Sequence, residues 1–247
     1  LTWADLPADG ADGMADVYKV SRKVHGIGDF LKEMRQRCFD PYDGLGIGEA
    51  MFLEEDAVKN FIGEKGYFSS IFAFEPCHVY RKGKNYKEYL WPQPFDDWRK
   101  ETASNQKMLG DIGFEANIIE NHDQPRGSSL FIPKEDYGFY SVTALATIIL
   151  CQRGLPFLYQ GQEIGMCNRE WKLEEFNDVE TLSQYEICLK EGLSPEQALK
   201  ICSNHSRDNA RTPMQWSHET NAGFTSGEPW MPVNENYKEI NVENQEK

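Results

Sequence analysis

The stretch "IIENHDQPR", Ile118 to Arg126, decides how this chain is read. It starts as an apolar, β-prone run and passes without a break into four polar side chains, Asn121, His122, Asp123 and Gln124. Pro125 follows, fixing φ and ending any ladder of backbone hydrogen bonds. A buried strand finishing this way delivers an imidazole and a carboxylate together to one end of a sheet. Such a cluster can bind a polyhydroxylated ligand or serve acid–base chemistry; taken alone, the same short polar residues equally well cap a turn.

Working outward, apolar runs alternate with helical periodicity. A helix is expected over Asp29–Cys38, where Phe30, Met34 and Cys38 recur on one face. The short apolar segment "GLGIGEA" follows, with Glu49 at its end. A second helix opens at the acidic Glu54, Glu55 and Asp56 and stops at Gly66. Then come the β-rich "YFSSIFAFE", a helix near Asp96–Leu109, and the strand "FEANIIENHD". The helix "FYSVTALATIILCQRG" is apolar nearly all round, which predicts burial on more than one side. The strand "LPFLYQGQEIGM" closes the series. "SPEQ", Ser194–Gln197, reads as a helix start with a capping box.

Strands that are continuous apolar runs, each followed by a helix, indicate a parallel sheet covered by helices. In an eight-fold βα barrel each unit takes about 31 residues, and reacting groups stand at the carboxyl ends of strands. Glu49 and Asp123 are separated by close to two such units, and Glu163 lies about one unit further on. The fold class expected is therefore α/β, a partial (β/α)8 TIM barrel comprising about strands 5–8 with their helices, plus the long loop after strand 8. Phe157, Leu158 and Tyr159 then read as barrel core. Gln162 and Glu163 read as structural hydrogen-bonding residues, and Trp216, Phe224 and Trp230 as aromatics that pack the long loop or, second, line the mouth of the barrel.

The 26 basic residues against 40 acidic ones give a net charge of −14. That balance opposes nucleic acid and anionic membrane as partners, since a basic patch supplies most of such affinity. Six scattered cysteines without a C-x-x-C pair read as buried free thiols, in keeping with a reducing, cytoplasmic setting. No run approaches the length of a membrane span.

Four stretches in order, "GIGEA", "IIENHDQPR", "GLPFLYQGQEIGM" and "SRDNARTPMQW" with its continuation "NAGFTSGEPWMPVNENYKEINV", resemble the oligo-1,6-glucosidase group of glycoside hydrolase family 13. The resemblance runs from about Asp29 to the end of the chain. It implies a retaining, exo-acting α-glucosidase that removes terminal α-linked glucose, with α-1,6 linkages favoured, from short oligosaccharides. α-1,4-Glucosidases, trehalose-6-phosphate hydrolases and sucrose isomerases share much of the wording, and a catalytically inert truncated product is a further alternative.

By that resemblance Glu49 is the general acid/base and Asp123 the second carboxylate, which stabilises the transition state. His122 and Arg207 bind the glucose ring, with Arg211 the second choice for the arginine. The resemblance also implies a nucleophilic aspartate in an Arg-x-Asp run at the end of the fourth strand. Nothing in residues 1–28 matches it; Asp12 and Asp16, in "GADGMADVY", have no arginine two places ahead. The expected organisation is 1–28 as a loop remnant before the fourth barrel helix, 29–166 as the carboxyl-terminal half of the barrel, and 167–247 as the excursion after strand 8. On this reading the isolated chain is inactive for want of its nucleophile. It needs no cofactor of its own, calcium belonging if anywhere to the amino-terminal part. Its partner is an oligosaccharide substrate, and the complete enzyme is a monomer.

Overall fold

A computed structural model describes residues 26–51, 53 and 55–246. Asp12, Asp16 and nearly all of the 1–28 loop lie outside the described residues.

The chain alternates strand and helix as expected. Helix α1 spans Ile27–Met34 and continues as a wider π turn to Phe39. Strand β1, Ile47–Gly48, leads to α2, Glu55–Phe61; β2, Ser70–Ile71, leads to the short α3, Phe74–Cys77, and to α4, Phe95–Leu109. Strand β3, Ala116–Asn117, is followed by α5, Gly127–Phe131, and α6, Phe139–Cys151; β4, Leu155–Pro156, precedes the long excursion. The strands are parallel and pair in chain order. Ile47 is opposite Ser70, Phe72 bridges to Ala116, and Ala116 is opposite Leu155. One sheet therefore runs β1-β2-β3-β4 with every carboxyl end on the same side.

Helix α4 shows why these segments form these elements. Acidic Asp96 and Asp97 occupy its first turn, Trp98, Asn105 and Leu109 share its buried face, and Gly110 ends it with φ 47°. The core between sheet and helices gathers Trp98, Ile119, Leu130, Phe131, Leu145 and Ile149. A second core lies in the excursion, where α7, Val179–Lys190, packs on α8, Pro195–His205, through Tyr185, Cys188, Ala198 and Cys202. The expected capping box is present: Ser194 Oγ accepts from the Gln197 N–H at 3.2 Å, and the Gln197 side-chain oxygen accepts from the Ser194 N–H at 3.0 Å.

The structure corrects four expectations. Helix α6 buries only Leu145 and Ile149, while Phe139 is 76% and Tyr140 85% exposed. Its outer face is apolar, yet no second layer covers it among the described residues. Phe157 and Leu158 are exposed rather than core, because β4 is an edge of the described sheet. Trp216, Phe224 and Trp230 are likewise exposed instead of packing the long loop. All six cysteines are free thiols, but Cys38 and Cys151 lie on the surface.

Candidate active site

Beyond β3 the chain continues through buried Ile118, Ile119 and Glu120 and then turns at Asn121. The Asn121 side-chain oxygen accepts from the Asp123 N–H at 2.8 Å, and the Gln124 N–H reaches the Asn121 carbonyl at 3.3 Å. The turn expected of short polar residues is thus made by Asn121. The side chains of His122 and Asp123 take no part in it and are 62% and 49% exposed.

Asp123 collects three cationic or potentially cationic groups. Its Oδ1 accepts from Arg207 Nη1 at 3.1 Å and from Arg211 Nη2 at 2.9 Å, while Oδ2 lies 3.3 Å from His122 Nε2. Arg211 is further tied by Nε to the His122 carbonyl at 2.9 Å. One carboxylate oxygen is thereby committed to two guanidinium groups. The other, with the imidazole beside it, remains for a ligand. Both arginines come from a short 3-10 turn, Arg207–Arg211, so the sequence-predicted Arg207 and its alternative Arg211 reach the same oxygen from adjacent turns of one segment.

The loop is held from below by a buried ion pair. Arg126 Nη1 meets Glu120 Oε1 at 3.0 Å, each side chain 1% exposed. The remaining guanidinium hydrogens reach the carbonyls of Asn209, at 3.3 Å, and Ala210, at 3.4 Å, and that of Gln160, at 2.7 Å. Burial raises the pKa of the Glu120 carboxyl, opposed by the Arg126 charge and by the Gly127 N–H. Arg126 thus joins three segments: its own loop, the turn after β4 and the 207–211 turn. Gly161, with φ 87°, lets the turn after β4 pass close by, since a Cβ there would stand 2.4 Å from Met166 Sδ and 3.2 Å from Arg126 Nη1. On the other side, Gln124 Nε2 lies 3.1 Å from His78 Nε2. Burial, reinforced by the charge of Arg81, pushes His78 down to about 3, so its ring is neutral and can accept.

Glu49 directly follows Gly48, the last paired residue of β1, and is exposed. It stands at the same, carboxyl end of the sheet as Asp123. Among the described residues it forms no hydrogen bond or ion pair with His122, Asp123, Arg207 or Arg211. Gln162 makes the structural contact expected of it, accepting from the Tyr159 N–H at 3.0 Å. No group of three or more histidine, cysteine or acidic side chains suited to a metal occurs among the described residues. None of the described helices is long and apolar enough to cross a membrane.

Sequence reasoning missed Glu120 and Arg126, although both lie in the stretch that opened it. A glutamate ending an apolar run, six residues before an arginine, was a usable signal for a buried pair. Arg211, the second choice for the arginine, reaches Asp123 as closely as Arg207 does.

The chain that carries this parallel βα sheet matches an established family. The model of the alpha-amylase catalytic domain matches residues 9–247, and the chain belongs to that family. It is 38% identical to an oligo-1,6-glucosidase of Halalkalibacterium halodurans over 87% of this chain and 39% of that protein. It is 37% identical to an alpha-glucosidase of Candida albicans over 93% of this chain and 41% of that protein. Among solved structures, the trehalulose synthase MutB of Pseudomonas mesoacidophila superposes with a TM-score of 0.81 at 33% identity, covering 91% of this chain and 41% of its own. The trehalose-6-phosphate hydrolase of Bacillus licheniformis gives 0.81 at 35% identity, covering 88% and 40%. The chain thus spans about two-fifths of the length of the curated relatives it matches.

Proposed function

We infer that this chain carries the acid/base half of a retaining, exo-acting α-glucosidase active site, corresponding to strands 5–8 of a (β/α)8 barrel. Glu49 protonates the departing glycosidic oxygen. Asp123 accepts hydroxyls of the terminal glucose through Oδ2 and, with Oδ1 held by two arginines, steadies the oxocarbenium-like transition state. His122 hydrogen-bonds the same ring, and Arg207 sets the limit of the pocket at the non-reducing end.

The observation that carries the reading is the convergence of Arg207, Arg211 and His122 on Asp123, at the end of the sheet where Glu49 also stands. A carboxylate with one oxygen held by two guanidinium groups keeps the other oxygen as an acceptor, as hydroxyl binding requires. The resemblance gives the proton donor's role to Glu49, which directly follows the last paired residue of β1. A neutral sugar is favoured over a phosphorylated one. Arg207 and Arg211 are already matched by carboxylates, Arg207 by Asp178 as well as Asp123. An α-1,6 preference is supported by the oligo-1,6-glucosidases among the relatives. The nucleophile is to be supplied by a part of the catalytic domain that residues 26–246 do not contain. The reading needs no cofactor in this chain and places the protein in the cytoplasm.

The test is a chimera in which this chain replaces its counterpart in the Halalkalibacterium halodurans oligo-1,6-glucosidase. Glucose release from isomaltose, exceeding that from maltose and absent with trehalose 6-phosphate, is the expected result. Turnover of the phosphorylated sugar alone would overturn the substrate assignment.

A further inference from the structure

The residue before α7 enters the reading above only as a counter-charge, yet it grips the arginine that reading depends on. Asp178 is buried, 4% exposed, at the N-cap of α7. Its Oδ2 accepts from the Thr181 N–H at 3.2 Å and from Thr181 Oγ1 at 2.8 Å, an ordinary helix cap. Its Oδ1 does something a cap does not require: it takes both Nε, at 2.9 Å, and Nη2, at 2.8 Å, of Arg207. The third guanidinium nitrogen, Nη1, is the one that reaches Asp123.

The grip is reciprocal. Asp208, the neighbour of Arg207, accepts with its Oδ2 from the N–H groups of Asn177, at 2.8 Å, and of Asp178 itself, at 2.9 Å. Thr181 Oγ1 lies 2.8 Å from Ser206 Oγ, which in turn accepts from the Asp208 N–H at 3.2 Å. Residues 206–208 and the first turn of α7 are therefore locked side by side, each supplying a carboxylate to the other. Burial works against charge on Asp178, but the Arg207 and Thr181 hydrogen bonds prevail and hold its carboxyl below the ordinary range. Arg207 is correspondingly raised.

Resting on the glucosidase reading, we propose that Asp178 is the positioning residue of the sugar site: it fixes the guanidinium plane of Arg207 so that Nη1 alone faces Asp123 and the bound glucose. A long side chain with a single exposed partner would sample many rotamers, and a charge-assisted, two-nitrogen anchor on a helix terminus removes that freedom before ligand arrives. The α7–α8 excursion is then a mount for the arginine as well as a core of its own.

Two variants separate positioning from capping. Asp178→Asn keeps a good N-cap residue and removes the charge; Thr181→Val weakens the cap and leaves the charge. The probe is the Nε–H signal of Arg207 in the 247-residue chain labelled with nitrogen-15 in arginine, assigned by its loss in Arg207→Lys. A sharp, exchange-protected signal is expected in the wild type and in Thr181→Val. In Asp178→Asn it broadens or merges with solvent-exposed arginines while far-UV circular dichroism is unchanged. An Arg207 signal equally sharp in Asp178→Asn overturns the proposal. With isomaltose as ligand, Asp178→Asn should bind about tenfold more weakly than Thr181→Val, the scale of a charge-assisted hydrogen bond; equal affinities also overturn it. A wild-type chain that binds no isomaltose counts against the glucosidase reading, and the Arg207 signal then still decides the positioning.

Discussion

Arg126 and Glu120 meet at 3.0 Å beneath the candidate site, with 1% of either side chain exposed. A buried pair of this kind is weak evidence for net stability, since desolvating both charges offsets much of their attraction. Breaking it is another matter. Arg126→Met leaves Glu120 buried without its cation and frees the carbonyls of Asn209 and Ala210. The expected loss is about 3–5 kcal/mol in urea unfolding. The double variant Glu120→Gln with Arg126→Met should recover part of it, and full additivity of the two single changes would show that the pair is not coupled.

A second prediction concerns pH. Glu115 is 5% exposed, and burial first, then the charge of Glu75, pushes its carboxyl up to about 7. The unfolded chain releases that proton near pH 4.3. Between those values the folded state binds more protons, so this group's contribution falls as pH rises and is fully unfavourable above 7. Glu115→Gln removes the penalty. The melting temperature of the variant minus that of the wild type should grow by several degrees from pH 4.5 to pH 7, then level off. His78 and His205, both pushed by burial down to about 3, act in the opposite direction below pH 6.5 but cancel in the difference. A difference that shrinks as pH rises would refute the assignment.

A third follows from the outer face of α6. Phe139 and Tyr140 are exposed and in edge contact, ring centroids 5.5 Å apart, with Leu150 exposed on the same helix. The isolated 247-residue chain should associate as its concentration rises, read by sedimentation velocity. Phe139→Lys with Tyr140→Lys should return it toward the monomer at unchanged helicity. Association unaffected by both changes would place the adhesive surface elsewhere.

Much of this was legible in the residues. The βα alternation survived because each strand is a continuous apolar run and each helix carries its own punctuation, such as Gly110 after α4 and Ser194 before α8. His122, Asp123 and Arg207 were singled out through the resemblance; taken alone, the polar cluster at the strand end reads equally well as a turn, and the structure gives that turn to Asn121. What the sequence hid was burial that depends on neighbours. The apolar circumference of α6 predicts a covering layer and cannot say whether one is in place, and an edge strand reads like a central one. Asp178 was hidden for a different reason: it lies far from Arg207 along the chain, and only three dimensions bring the two together.

The most direct measurement uses the chimera with the Halalkalibacterium halodurans enzyme and the single change Glu49→Gln. If Glu49 is the proton donor, kcat for isomaltose falls by on the order of 10²–10⁴ or more. An aryl α-glucoside with an acidic phenol, which leaves without protonation, should lose far less, and isomaltose affinity should hardly change. Undiminished turnover of isomaltose by Glu49→Gln would contradict the account at its centre.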